Sequence, residues 1–517
     1  MILMLMVITF VGSLCSLLYE LNLAKSVAHL TGNVILWEAV TVGSFLGALG
    51  LGVLEQSKRV ASWHDLFHLE LKLSLGGAFS IPLILFFHVA YRIYLADVEE
   101  NSGGLSALTV FGLLCQIPSL VLGFYSGREL PIFLSLGKGK TPQLLSASYM
   151  GALAASCLFT LGMQSWEFTQ VALATGLGNL LLAAFINWQR GFLKTSIGWW
   201  SLGASLLALG AFAWTQGKIN EWHLKNFYYN HLRFSHDEKG IQWEGPVGLG
   251  DIPEFASHQG PLRRVRSPYQ FIDYVWQPAS EDQESFSLYL NGHYQFSSAR
   301  EKNYHRTMVH APLALVGKIP EQALVLGAGD GLLVRELLKY NDASITLVEL
   351  DSLMLEEAKK EPLSLLNQQS LSDKRVDIVV ADAFRWLQTT DRSFDAIFAD
   401  FPYPFDGESS RLFTVEFYKL LGKALAAGGF VVANYPLLEA SGSQAFAIAS
   451  QTFHDAGFVK VWWFSVPGES FILATRHPAS LKSTPSDLQV VELPGESGYL
   501  AHSILKPHHL IATDPFF

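Results

Sequence analysis

At 517 residues the chain is too long for one ordinary domain, and two or three are expected. Half of the residues are hydrophobic and 16% are charged, well below the roughly 25% of soluble domains. The formal net charge of -10 argues against a nucleic-acid partner, which calls for a basic face.

The charge deficit lies in the N-terminal part of the chain. A bilayer-spanning helix needs about 20 apolar residues. Seven such runs occur, near 1–24, 33–54, 72–95, 105–126, 144–164, 168–188 and 197–215. The first lacks the basic start of a cleaved signal peptide, and more runs follow it. Buried helices of a soluble protein would need a large water-soluble shell that the chain lacks. A multi-pass α-helical membrane domain over 1–215 is therefore expected, with lipid as its partner. Lys58 and Arg59 follow the second run, Arg128, Lys138 and Lys140 the fourth, and Arg190 and Lys194 the sixth. The opposite loops carry Lys25 and Arg92, the latter beside Asp97, Glu99 and Glu100. The excess of basic residues predicts that the even-numbered loops and the N-terminus are cytoplasmic.

Glu20 and Glu38 fall in or near the first two runs. A carboxylate in a membrane is a functional candidate, although helix ends and interhelical bonds also use such groups. Cys15, Cys115 and Cys157 all lie in apolar runs with no paired spacing and no ligand histidines beside them. They read as small core residues, with neither a disulfide framework nor a metal site.

Residues 216–245 read as a polar linker rich in charged and aromatic side chains. A small β-rich domain is expected over 246–312. Residues 264–276 and 285–290 alternate as strands do, and Asn291-Gly292 marks a tight antiparallel turn. A helix is expected over 303–316.

The strongest signal follows. Residues 323–339 form a short apolar strand, a glycine turn with Gly327, Gly329 and Gly331, and a helix. Residues 345–351 are a second strand ending in Glu349 and Asp351. Glycines let the backbone approach a nucleoside, and an acid at the next strand end can hold ribose hydroxyls. A third strand leads to Asp382 and Ala383, and a fourth, 394–400, ends in Asp400. Asp330, Glu349, Asp382 and Asp400 thus gather at one edge of a predicted parallel sheet. Each alone fits a helix cap or turn as well as a site. Four at one edge favour a site. A Rossmann-like α/β domain of the class I methyltransferase type is therefore expected over 313–475, with a tail over 476–517.

In combination these residues resemble the aminopropyltransferase family, spermidine synthase and its relatives, over roughly 245–475. The match includes Tyr269 and Gln270, the hairpin 291–298 with Gln295, and the run 301–306 with Tyr304 and His305, followed by His310. It continues through the glycine loop, Glu349, Asp351, Asp382, Ala383, Asp400 and the segments 412–418 and 427–430. The helical part is similar to multi-pass N-terminal regions of some relatives, including Leu18-Tyr19-Glu20. The resemblance implies transfer of an aminopropyl group from decarboxylated S-adenosylmethionine to an amine such as putrescine, releasing methylthioadenosine. No cofactor is then permanently bound, and a homo-oligomer is allowed. It implies that Glu349 holds the ribose and Asp382 with Ala383 the adenine. Asp330 and Gln270 line the aminopropyl arm beside the glycines, and Asp400 accepts the amine proton. Gln295, Tyr304, His305 and Tyr403 fall on the acceptor side. Two positions depart from the family: Arg306 stands where a glutamate is usual, and Tyr403 where an aspartate is usual. Both changes weaken the attraction for a polycation.

Two other readings stay open. Asp400-Phe401-Pro402-Tyr403 also resembles the segment with which S-adenosylmethionine-dependent amine methyltransferases hold their target. A membrane transporter or sensor that only binds the nucleoside would tolerate the changes at 306 and 403, but has no need of Asp400. A bacterial inner-membrane protein fits all three. Seven spans would put the C-terminal domain outside, away from a nucleoside made in the cytosol. One span fewer removes that conflict.

Overall fold

The computed structural model describes residues 2–31, 34–94, 107–163, 165–190, 196–229, 234–237, 240–243, 260–276, 285–402, 407–434, 443–466, 469–482 and 488–493. The chain folds as two compact units, Met1–Pro268 and Tyr269–Phe517.

The first unit is mainly helical. Its helices are α1 (Ile2–Thr31), α2 (Val34–Gln56), α3 (Trp63–Tyr94), α4 (Ala107–Leu114), α5 (Gln116–Leu136), α6 (Thr141–Cys157), α7 (Phe168–Arg190) and α8 (Ser196–Tyr229). Among the described residues, six segments are long and apolar enough to cross a bilayer: Ile2–Thr31, Val34–Gln56, Trp63–Tyr91, Leu108–Leu136, Thr141–Gly162 and Phe168–Gln189. The fourth joins α4 and α5 across Cys115. The expected seventh run, 197–215, lies within α8 and is not among the six. Gly198, Trp199, Trp200, Ser201, Gly203, Ser205, Gly210 and Trp214 dilute its apolar character.

Backbones approach closely in this bundle. A Cβ on Gly52 would lie 2.0 Å from the Phe124 carbonyl oxygen, and one on Gly127 2.0 Å from that of Leu49. With Gly123, which meets the Phe45 carbonyl, these small residues let α2 and α5 pack backbone to backbone. Large apolar side chains remain outside, among them Leu51, Phe86 and Leu181 at 61%, 56% and 70% exposure. Cys15 and Cys115 are buried as expected, but Cys157 is exposed, because α6 turns that face away from its neighbours. Glu20 is buried. Glu38 forms an ion pair with Lys25 at 2.7 Å that ties α2 to α1.

The expected linker, 216–245, begins as helix, since α8 runs on to Tyr229. Tertiary contacts absorb its polar residues. Asn220 Nδ2 donates to Thr169 Oγ1 at 2.9 Å, and the His223 and His88 rings share a hydrogen bond of 2.8 Å between Nε2 and Nδ1. Strands β1 (Phe234–Asp237) and β2 (Gly240–Trp243) form a hairpin, and β3 (Leu262–Arg266) follows.

The second unit opens with β4 (Phe271–Trp276), β5 (Phe286–Leu290) and β6 (His293–Ser297), paired antiparallel in sequence order. Asn291 and Gly292 take positive φ, 53° and 86°, as the predicted tight turn demands. Helix α9 (Glu301–Val316) covers the start expected at 303. The main sheet then holds β7 (Gln322–Gly327), β8 (Ser344–Glu349), β9 (Val376–Val380), β10 (Phe394–Asp400), β11 (Leu425–Asn434), β12 (Lys460–Val466), β13 (Glu469–Thr475) and β14 (Gln489–Glu492). Their spatial order is β14-β12-β13-β11-β10-β7-β8-β9. The five strands from β9 to β11 are parallel, while β13, β12 and β14 run antiparallel to their neighbours. This is the doubly wound Rossmann-like arrangement with a C-terminal antiparallel extension. The expected tail, 476–517, contributes β14 to its edge. Between strands lie α10 (Leu332–Leu337), α11 (Ser352–Ala358), α12 (Leu363–Leu366), α13 (Ala383–Thr389), α14 (Gly407–Ser410), α15 (Val415–Ala424) and α16 (Ser443–Asp455). One core joins Leu324, Ile397 and Val431 of the sheet to Leu387, Phe417, Tyr418 and Phe453 of α13, α15 and α16.

Candidate active site

The chain leaves β7 toward β8 on one side and β10 toward β11 on the other. The crevice between the carboxyl ends of β7 and β10 is therefore the switch point of the sheet, where ligands of open α/β folds bind. Gly327 and Asp400 are paired there. Gly327 has φ of +76°, and a Cβ on it would lie 2.1 Å from the Asp400 carbonyl oxygen, so both conformation and space exclude a side chain. Gly329 leaves open the space above the Glu349 carboxylate, where a Cβ would come within 2.9 Å of Oε2. Gly331, at φ of +80°, starts α10.

The four strand-end acids differ in what they already hold. Asp330 Oδ1 accepts from the Leu332 amide at 2.8 Å, and Asn367 Nδ2 donates to its carbonyl at 2.7 Å. Burial pushes the Asp330 carboxyl above its ordinary range. Glu349 Oε1 accepts from the Asp351 amide at 2.8 Å, and burial raises this carboxyl to about 7. Asp351 caps α11 through the Leu353 amide at 3.0 Å and also accepts from Gln270 Nε2 at 3.0 Å. Gln270 therefore reaches the second acid of the β8 end. Asp382 caps α13 through the Arg385 amide at 3.0 Å and makes an ion pair with Arg411. Ala383 is the first residue of α13 and is nearly buried.

Asp400 is the strand-end acid that receives a tyrosine hydroxyl. Tyr304 of α9 donates its hydroxyl to Oδ1 at 2.5 Å. Burial pushes the Asp400 carboxyl up to about 6, with His305 pulling it down and Asp330 pushing it further up. Tyr304 is itself pushed well above its ordinary value by burial and by the Asp400 charge. His305 is buried, with Nδ1 at 2.8 Å from the Glu301 carbonyl oxygen and 3.0 Å from Glu301 Oε2. Burial lowers its pKa, but the Glu301 bond and the charges of Asp330 and Asp400 outweigh it, so the net shift is upward. An acid that takes up a proton near pH 6 can serve as a general base near neutrality.

Several members of this site were not read from the sequence. Asn434 at the end of β11 clamps the residue after Asp400: its Nδ2 donates to the Phe401 carbonyl at 2.8 Å, and its Oδ1 accepts from the Phe401 amide at 3.3 Å. Arg411 adjoins the matched segment 412–418 but carries no signal of its own. Glu469 starts β13 at the same sheet edge and shares a strand face with Phe471, whose ring lies 5.1 Å from that of Tyr304. Its charge acts on the Tyr304 hydroxyl.

The fold thus brings Gly327, Gly329, Asp330, Glu349, Tyr304, His305 and Asp400 together. Gln295 is not joined to them by a described hydrogen bond; its Nε2 donates to the His293 carbonyl at 3.1 Å within its own hairpin. Arg306 is exposed. Tyr403 lies outside the described residues. Among the described residues no cluster of three or more His, Cys, Asp or Glu side chains could hold a metal ion.

The Spermine/spermidine synthase domain matches residues 301–467, which contain Tyr304, the glycine loop, Asp400 and Asn434. Polyamine aminopropyltransferase 2 of Ralstonia nicotianae is 30% identical over 444 residues, covering 83% of this chain and 78% of that one. This chain belongs to the polyamine aminopropyltransferase family. Other aminopropyltransferases align over almost the whole chain, helical unit included. The Leptospira interrogans enzyme is 27% identical over 93% of this chain and 89% of its own. That of Oceanobacillus iheyensis is 26% identical over 95% of this chain and 88% of its own. As an aminopropyltransferase the protein is an enzyme, and the geometry around Asp400 has a reaction to explain.

Proposed function

We propose that the protein transfers the aminopropyl group of decarboxylated S-adenosylmethionine to an amine that carries a second cationic group, and releases methylthioadenosine. The observation that carries this reading is the half-buried Asp400 carboxylate, held by Tyr304 at the sheet's switch point beside the glycine loop. The acceptor arrives as an ammonium ion, and Asp400 takes its proton. The freed nitrogen lone pair attacks the carbon next to the sulfonium. The carbon–sulfur bond breaks and its electrons return to sulfur, leaving the neutral thioether. Asp330 follows the second loop glycine and would face the reacting arm. Its negative charge attracts the terminal amine of the decarboxylated donor and repels the carboxylate of S-adenosylmethionine, which disfavours the methyltransferase reading. Glu349 takes the ribose hydroxyls and Asp382 the adenine side. Glu469 and Asp400 give the acceptor side two carboxylates, which suits a diamine such as putrescine. Mass analysis of products from a panel of monoamines, diamines and longer polyamines, with each nucleoside separately, tests the assignment. Aminopropylated diamines are expected, and Glu469→Gln should raise KM for diamines while leaving monoamines unchanged. Methylated products, or none, would overturn it.

Glu349 provides a test that involves no catalysis. Glu349→Ala removes a charged acceptor from two hydroxyls, and charged hydrogen bonds contribute about 1.5–3 kcal/mol each, so nucleoside affinity should fall at least about tenfold. The carboxyl titrates near 7 in the free site. Hydroxyl donors and a sulfonium both favour its ionised form, so parent affinity should rise with pH through about 7 and proton release should accompany binding. The variant loses that dependence. Calorimetry in buffers of different ionisation enthalpy checks both effects, and an unchanged Kd would make Glu349 a purely structural acid.

The helical unit is proposed to be a membrane anchor. Its six apolar segments, backbone-close helix contacts and exposed apolar side chains support this reading. Six spans would return the chain to the side on which it began, and the basic residues of the loops 57–62 and 137–140 favour the cytoplasm for that side, where the nucleoside is made. Impermeant labelling of cysteines placed at Ser57 and Lys138, both in the loops, should fail on intact cells. Labelling of both from outside would reverse the orientation.

A further inference from the structure

The helical unit contains a polar site that the transfer reaction does not use. Four helices converge on it. The Tyr19 hydroxyl of α1 donates to Asn179 Oδ1 of α7 at 2.8 Å. Asn179 Nδ2 donates to Glu70 Oε2 of α3 at 2.6 Å. The Glu70 carboxylate meets that of Glu129 on α5 side chain to side chain. Glu70 is fully buried and Glu129 is 4% exposed. Among the described residues neither acid has a cationic partner, and Oε1 of each is buried without a donor. The Ser126 hydroxyl is also buried without a partner. It lies one turn before Glu129, in the α5 stripe of Leu122, Ser126, Glu129 and Phe133. That stripe faces this centre: Leu122 packs against Gly76 of α3, and Glu129 and Phe133 pack against Gly12 of α1.

Two carboxylates in contact within an apolar interior cannot both stay bare. Asn179 satisfies one oxygen, and the Tyr19 hydroxyl is already used on Asn179 and the Leu73 carbonyl. The cluster therefore lacks one positive charge, and Ser126 offers an oxygen to whatever carries it. We propose that Glu70, Glu129, Ser126 and Asn179 form a binding site for a single monovalent cation, either a proton or a desolvated alkali ion, inside the helical bundle. The proposal goes beyond the transfer reaction and gives the bundle a function other than anchoring.

The test uses the full chain in detergent micelles. Thermal unfolding of the parent and of Glu70→Gln, Glu129→Gln and the double variant is followed from pH 5 to 9 in choline chloride, and at fixed pH with sodium or potassium chloride. A carboxamide keeps the size and supplies its own donor, so at least one single variant should remain folded. If a proton fills the site, parent Tm falls relative to the variants by about 3–5 °C per pH unit as pH rises, the linkage of one proton in a unit of this size. If an alkali ion fills it, parent Tm rises with that ion and the variants do not respond. Dicyclohexylcarbodiimide, which adds to protonated carboxyls in apolar surroundings, locates the site: an adduct on Glu70 or Glu129, lost at high pH or on adding sodium, is expected. A parent whose Tm tracks the variants across pH and both salts, with no adduct at any pH, overturns the proposal. Transfer activity is no part of this readout, so failure of the assigned reaction would leave the result interpretable.

Discussion

Asp400→Asn is expected to lower aminopropyl transfer by roughly 10²–10⁴-fold, the usual contribution of a positioned general base, while nucleoside affinity stays within about twofold of the parent. Asparagine keeps the size and can still receive the Tyr304 hydroxyl, but it cannot take a proton from an ammonium group. The pH profile separates this loss from a folding defect. The parent carboxyl titrates near 6, so parent kcat/KM should fall below that pH as Asp400 becomes protonated. The variant should lack that limb, and its residual rate should climb at high pH, where free amine is already present. Tyr304→Phe removes the hydrogen bond that favours ionised Asp400 and should move the parent's limb to higher pH. Stability should change in the opposite sense to activity. The folded-state pKa lies above the ordinary value of 3.8, so the folded protein binds the extra proton, and stability is lost as pH rises from about 4 to about 6. Asp400→Asn removes that loss, so its Tm at pH 7 should exceed the parent's. A variant that transfers at the parent rate would show that Asp400 is not the base.

Glu301→Ala is expected to destabilise the second unit by about 3–5 kcal/mol, which for a unit of this size lowers Tm by about 6–20 °C. Glu301 and Arg335 are both buried, and the guanidinium meets the carboxylate twice, Nη1 to Oε1 at 3.0 Å and Nη2 to Oε2 at 2.9 Å. Arg335 also donates to the Leu366 carbonyl at 2.7 Å and pairs with Glu336, which in turn bonds His310 at 2.8 Å. Removing Glu301 leaves an arginine buried with too few acceptors, and that desolvated charge is the main cost. The hydrogen bonds of His310 and Lys339 and the charge of the neighbouring arginine overcome burial and hold Glu336 at about 2. Its contribution to stability is therefore complete above about 4.5 and is lost as pH falls toward 2. Glu301→Ala should also loosen the site, because Glu301 holds His305 Nδ1. The measurement is thermal unfolding of the full chain, with the helical unit's transition as internal reference. A change below about 1 kcal/mol would mean that water reaches the pair.

Much of this protein was legible without coordinates, and what was legible is local. The apolar runs, the tight turn at Asn291-Gly292, and the strand, glycine turn and helix of 323–339 are each encoded by neighbours in sequence. Hydrophobic period, positive-φ demand and capping act over a few residues, so the Rossmann-like core and its acidic edge could be placed before any strand order was known. What was missed depends on distance. Tyr304 and Asp400 are 96 residues apart in the chain, and only the packing of α9 against the sheet makes one the donor of the other. The Arg411 partner of Asp382, the Asn434 clamp on Phe401, and the place of Glu469 beside Tyr304 follow from register between strands and from loop closure, which no periodicity reports. The helix through 216–229 looked polar because its neighbours Thr169 and His88 lie on other helices. Glu70 and Glu129 gave no signal of their own in the sequence. They became a buried pair only when α3 and α5 packed against each other, because burial is a property of what surrounds a side chain, and the chain's order along itself does not contain it.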